Sequence, residues 1–286
     1  MNDGPFAGRT LCIATMHGKE HVIAQRLETA LGVHCVLPPA GFDTDRFGTF
    51  SGEVPRVGTP RDAARAKAIA AMDAAATDLA VASEGSFVPH PDAFLLQIGI
   101  ELVLLVDRRA DLEIPGEHVT TETNHARQRC RGLDEASAFA ARIGFPSHGL
   151  LVVLGEPPQR VWRGLHTEAA LRAAVADATR EGAREALPWF VASDMRADHN
   201  PTRMRAIDRA AAALAERATT LCPSCATPGF GAVDVVRGLP CSDCGTPTAR
   251  PRAFVHGCVR CAMRLEVPRS DDVVAAEPAG CDVCNP

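Results

Sequence analysis

The chain has 286 residues, 46% of them hydrophobic, a formal net charge of −5 and a pI near 6.1. That much apolar material supplies cores for two ordinary domains and excludes a solvated, disordered polymer. The acidic balance excludes a general attraction to polyanions, so nucleic acid is not the favoured partner and a small molecule is.

The N-terminus, MNDGPFAGRT, has no basic flank followed by an apolar run, and the longest greasy stretch, IGIELVLLV, is too short to cross a bilayer. A soluble cytoplasmic protein without membrane association is expected. TLCIAT reads as a strand that breaks at Met16-His17-Gly18, and residues 19–31 carry Val22, Ile23, Leu27, Ala30 and Leu31 at helical spacing. VHCVLP is a second strand. Residues 38–60 form a Gly/Pro/Asp-rich loop too long for a plain connection, in which Asp43, Asp45, Arg46 and Glu53 could close over a ligand.

Thr59-Pro60 predicts the start of an alanine-rich helix over 61–76, and DLAVASEG predicts a third strand ending on Glu84. FLLQI, ELVLLVD and LEIPGEHV read as further strands, LDEASAFAARIG as a helix, and GLLVVLG as a strand. A helix over about 167–181, the strand PWFVAS, and a helix over 201–219 capped by Asn200 complete the domain. The expected fold class is α/β, a mixed sheet flanked by helices, over residues 1–219, with ligands at the strand-to-helix turns.

Residues 220–286 are poor in aliphatics and hold eight of the eleven cysteines. Cys222, Cys225, Cys241 and Cys244 follow C-x2-C-x15-C-x2-C, and Cys258, Cys261, Cys281 and Cys284 follow C-x2-C-x19-C-x2-C. Paired knuckles close a tetrahedral site without leaving a position for water, so two structural Zn²⁺ ions are expected. Consecutive pairs would make two tandem ribbons and alternating pairs a cross-braced unit; the expectation adopted is ribbons. Six arginines against seven carboxylates leave this module without a phosphate-tracking stripe, and a folded appendage for stability or protein contact is expected.

Of the 30 basic residues only Lys19 and Lys67 are lysine. Lys19 opens a helix after a strand, where free N–H groups and the helix dipole favour an anion that Thr15 could also contact. Arg65 and Lys67 lie near the start of the next helix, and Glu84 ends the following strand, where a Mg²⁺ ligand or water-activating base for phosphate chemistry is expected. In SDMRADHNPTRMRAI, Asn200-Pro201 is explained as a helix cap, whereas Arg196, His199 and Arg203 are candidates for the same anion-binding cleft. His17, His90, His125 and His148 read as structural or exposed rather than catalytic.

ATMHGK, FSGEVPRVGTPRDAARAKA and TDLAVASEGSF, over roughly residues 9–115, resemble the run of motifs in the inosine/xanthosine triphosphatase superfamily of purine nucleoside triphosphate pyrophosphatases. The resemblance implies that Thr15 and Lys19 hold phosphate, that Lys67 and Arg65 contact the triphosphate, and that Glu84 serves Mg²⁺ or the attacking water. Met16-His17-Gly18 departs from that family's Asn-Pro turn, and its late Ser-His-Arg segment has no clear counterpart. The whole chain also resembles an uncharacterised bacterial family with C-terminal zinc knuckles. The leading expectation is a nucleotide- or phosphate-ester-binding protein with Mg²⁺-dependent hydrolysis of a phosphoanhydride bond, Lys19, Lys67 and Glu84 being catalytic. The alternative is a non-enzymatic, ligand-sensing adaptor whose zinc ribbons dock a protein or nucleic acid.

Overall fold

Leu11, Cys12, Ile13 and Ala14 are all buried, which places β1 (Thr10–Ala14) inside a sheet rather than on its edge. It runs parallel to β2 (His34–Val36) on one side and to β3 (Leu79–His90) on the other. The crossovers are α1 (Glu20–Leu31) and α2 (Pro60–Ala75), and α2 starts on a capping box in which Thr59 and Asp62 satisfy each other's backbone N–H. Small residues on the inner face of α2, Ala64, Ala68 and Ala71, pack with Ala80, Ala82 and Leu104 of the sheet. The computed structural model describes residues 4–48, 54–90 and 93–285, so Glu53 lies outside the described residues.

β4 (Ala93–Asp107) pairs antiparallel with β3, and β5 (Leu112–Thr120) forms the far edge of the order β2-β1-β3-β4-β5. Two sequence expectations change here. FLLQI and ELVLLVD are one strand, because Gly99, which looks like a break, lies opposite Phe87, whose ring occupies the space a side chain would need. The third strand does not end on Glu84 either: the β3–β4 ladder continues to His90, and Glu84 sits mid-strand opposite Leu102.

The rest of the α/β region makes a second sheet instead of extending the first. β6 (Arg127–Arg129), β9 (Trp189–Ser193), β7 (Leu150–Leu154) and β8 (Arg160–Leu165) lie in that order, and every pairing is antiparallel. α3 (Leu133–Ile143) and α4 (Glu168–Glu185) cover one face, burying Phe139, Leu171 and Val175 against Leu150, Val152 and Val191. β6 has no apolar pattern to announce it, as its sequence is Arg-Gln-Arg on a sheet edge. Asn200 caps α5 (Pro201–Thr219) as expected, its Oδ1 accepting the Arg203 N–H at 3.0 Å.

The chain divides into two compact units, Met1–Asp111 with Pro115–Ala215, and Leu112–Ile114 with Glu216–Pro286. The division falls inside α5 rather than after it because Arg217, in its last turn, donates to the carbonyls of Gly229 and Ala232 in the cysteine-rich unit. That unit is built on the antiparallel sheet β10 (Gly231–Arg237), β11 (Pro251–Gly257) and β12 (Arg264–Pro268). Among the described residues no helix is long and apolar enough to cross a membrane.

Candidate functional site

The three-strand sheet decides how the cysteines group. Each strand carries the chain from one end of the sheet to the other, roughly 20 Å for seven residues. The first and third knuckles therefore share one end, and the second and fourth share the other. Cys222, Cys225, Cys258 and Cys261 form one cluster, and Cys241, Cys244, Cys281 and Cys284 form the second. The unit is cross-braced, which corrects the expectation of tandem ribbons: consecutive knuckles lie at opposite ends of β10. The mutual hydrogen bonds of Pro240 and Ser242 with Ala276 hold the returning segment beside the second knuckle.

Each cluster presents four sulfurs at tetrahedral spacing. Sγ–Sγ separations are 3.7 Å for Cys222–Cys261, 3.6 Å for Cys225–Cys258, 3.8 Å for Cys241–Cys284 and 3.6 Å for Cys244–Cys281. A tetrahedron with Zn–S bonds near 2.3 Å has edges of about 3.8 Å, so both clusters are compatible with a structural metal ion of the zinc kind. The first two knuckles share a sequence motif, C-x2-C-x-T. In each, the Thr hydroxyl, Thr227 or Thr246, lies 3.2 or 3.3 Å from the second sulfur. That hydroxyl is the main cause of a thiol lowered to about 6 at both Cys225 and Cys244, the direction a metal ligand needs.

In the first unit the β1–α1 turn, α2 and β3 bring Lys19, Lys67 and Glu84 to one cavity of about 50 Å³, which Arg196 and Arg203 also line. Gly18, at φ 66° in the left-handed region, lets the chain turn from β1 into α1 with Lys19 directing its amine inward. The ammonium is almost wholly buried and donates to Ser83 Oγ at 3.0 Å. Among the described residues no carboxylate lies within ion-pairing distance of it. Burial, with the neighbouring Arg203 and Lys67 charges adding to it, pushes Lys19 down from 10.5 to about 7.

Three of the other cations of the cavity are matched in pairs. Lys67 forms an ion pair with Glu84, and Arg56 approaches the second Glu84 oxygen at 3.9 Å. Arg203 reaches Glu101 at 2.7 Å, with both side chains buried, and donates to the Met195 carbonyl. Arg196 holds Asp194 at 2.6 Å; burial alone would raise the Asp194 carboxyl, but the hydrogen bonds and charge of Arg196 outweigh it and hold it below the ordinary range. His17 sits 3.5 Å from Asp45, and burial, followed by the Lys19 charge, lowers it. Among the described residues five cations (Lys19, Lys67, Arg163, Arg196, Arg203) line the cavity against three carboxylates (Asp45, Glu84, Asp194), so positive charge predominates there.

Gly85 shows how tightly these groups are packed. A Cβ there would lie 2.6 Å from both Arg203 Nη2 and Glu101 Oε1, so the residue after Glu84 must be glycine for the Arg203–Glu101 pair to lie against β3. Gly85→Ala is expected to displace that pair and cost about 2 kcal/mol, as strained buried ion pairs do. Chemical denaturation measures it; unchanged stability would mean the pair can move aside freely.

Not every residue singled out from the sequence reaches the cavity. Thr15 does not line it: its hydroxyl accepts the His17 N–H at 3.3 Å and closes the turn. Arg65 pairs with Asp62 on the outer side of α2, because two residues along a helix turn through about 200° and Lys67 faces inward. His199 stacks on His166, their ring nitrogens 2.6 Å apart, outside the cavity lining. In the long loop, Asp45 lines the cavity, Asp43 accepts the Asp45 N–H in a local turn, and Arg46 lies over Phe47. Sequence reasoning missed Ser83, Arg163 and Glu101. Glu101 had a readable signal, as the one acid inside the apolar run IGIELVLLV, where a buried charge requires a partner.

Fold and sites together define an α/β protein with a cationic internal cavity, joined to a small cross-braced cysteine unit with two candidate metal centres. A family model described as "Domain of unknown function (DUF6671)" matches residues 67–286, and the chain belongs to that family. No curated protein matches the chain. The likeness to the inosine/xanthosine triphosphatases therefore rests on the motifs alone, and neither the two-sheet arrangement nor the family match adds to it.

Proposed function

We propose that this protein binds the phosphoryl group of a nucleotide or other phosphate ester in the cavity between the β1–α1 turn, α2 and β3. One observation carries the reading: Lys19 is buried, no carboxylate among the described residues lies within ion-pairing distance of its amine, and four further cations line the cavity. An uncompensated buried charge is costly, and an anion of one or two charges removes the cost. The volume of about 50 Å³ suits a phosphoryl group and not a whole nucleotide, for which pockets of roughly 300 Å³ or more are usual.

The chemical extension is hydrolysis of a phosphoanhydride bond with Mg²⁺. Lys19 and Lys67 would carry the charge of the transferred group and Glu84, released from Lys67 as phosphate arrives, would orient water or the metal ion. A screen of nucleoside triphosphates with Mg²⁺, reading phosphate or pyrophosphate release, tests it. Glu84→Gln is expected to abolish turnover while keeping or tightening phosphate binding, since it leaves Lys67 unmatched; loss of binding and turnover together would count against a role for Glu84 in chemistry. Binding without any turnover leaves the adaptor reading.

A further inference from the structure

We infer that the ligand is a phosphate monoester carrying a compact aromatic ring, and that the ring lies in a second compartment adjoining the cavity, on the face of the second sheet turned away from α3 and α4. The inference rests on the cavity being a phosphoryl site and adds what lies beyond the phosphate. Side chains alternate along β7: Leu150, Val152 and Leu154 pack under the helices, so Leu151 and Val153 face the other way. On that face Arg127, Ala192 and Leu151 stand side by side across β6, β9 and β7. They help to line a compartment of about 110 Å³ with His125, Pro158 and Met195.

Leu151 and Met195 line both this compartment and the cation-lined cavity, so the two spaces are neighbours that share those side chains as a common wall. The second space is on the scale of the cavity of roughly 150 Å³ that takes a benzene ring. Its chemistry is the opposite of its neighbour's. Leu151, Val153, Pro158 and Met195 are apolar, and of the polar lining groups Arg127 and Ser193 already have partners. The Arg127 guanidinium lies 3.8 Å above the Phe190 ring and pairs with Glu156 at 2.9 Å. Ser193 Oγ accepts the Ala126 N–H at 3.0 Å and is 3.3 Å from the Ala126 carbonyl. His125 stacks flat on Phe87, with centroids 4.7 Å apart and planes 6° apart, and burial lowers the imidazole from its ordinary value.

A ring exchanges water for apolar and aromatic contact here, whereas a strongly hydrated extension of the ligand loses solvation that a mainly apolar lining returns only in part. Anion at one end and ring at the other match the two compartments in order.

The test compares inorganic phosphate with phenyl phosphate on the full-length protein by calorimetry, in wild type and in Ala192→Leu. Ala192 is partly exposed, lines the second compartment and does not line the cation-lined cavity, so a larger side chain there fills the second space. Wild type is expected to bind phenyl phosphate about tenfold more tightly than phosphate, and Ala192→Leu to erase that margin while leaving phosphate affinity within about twofold. Val153→Phe, from the neighbouring strand, repeats the test should Ala192→Leu fail to fold. Equal wild-type affinity for the two probes, or a margin that survives both fillings, overturns the ring compartment while leaving the phosphoryl site standing. Failure of wild type to bind either probe overturns both.

Discussion

Lys19→Met is expected to be about 2 kcal/mol more stable than wild type at pH 7, a rise in Tm of roughly 5 °C, and to lose phosphate binding altogether. Methionine keeps the length of the side chain and removes the charge, while its loss to Ser83 is a single hydrogen bond worth about 1 kcal/mol. The pH dependence fixes the cause. Lys19 falls from 10.5 in the unfolded chain to about 7 in the folded one. Below pH 7 both states hold the proton and the folded protein bears the full cost of a buried ammonium. Between pH 7 and 10.5 the unfolded state binds a proton that the folded state does not, so wild-type stability gains from this group as pH rises. The advantage of Lys19→Met should therefore shrink from pH 7 toward pH 10, measured by denaturant titration of both proteins side by side.

The same shift should make the proposed phosphate binding proton-linked. An anion beside Lys19 favours the charged amine, so near pH 8 each binding event takes up a fraction of a proton and affinity falls as pH climbs. Calorimetry in two buffers of different ionisation enthalpy reads that uptake directly. A variant less stable than wild type, or binding with no proton exchange at this pH, would mean that the amine is not the uncompensated charge described above.

The second large effect concerns the cysteines. Cys222→Ser should reduce bound zinc from two ions per chain to one, and should expose Cys225, Cys258 and Cys261 to alkylation while Cys241, Cys244, Cys281 and Cys284 stay protected. Cys241→Ser should give the mirror-image pattern. Tandem ribbons would instead leave Cys258 protected in Cys222→Ser and expose Cys241, so mass-spectrometric mapping of the modified sulfurs separates the two arrangements. Chelation is expected to open both clusters and release the order of β10, β11 and β12, because a sheet with so few aliphatic residues has little else to hold it.

How much of this was legible in the chain varies with the range of the interaction. The eight metal-ligand candidates, the Thr59-Pro60 helix start and the Asn200 cap depend on neighbours a few residues apart, and each could be read from spacing alone. The inward aim of Lys19 and Lys67 was also foreshadowed, since arginine otherwise supplies nearly every cation. Glu101 shows the limit: its place in an apolar strand said that it needed a partner, but that the partner is Arg203, 102 positions later, is decided only when α5 is set against β4.

By itself, then, the sequence determined the local elements, the division into an α/β region and a cysteine-rich region, and the residue types that chemistry would use. Tertiary structure decided the two-sheet layout, the alternating grouping of the knuckles, and which charges face one another. The physical reason is that helix periodicity, caps and metal-ligand spacing are set by bonds within a turn or two, whereas ladder register and charge matching join segments whose separation along the chain carries no pattern.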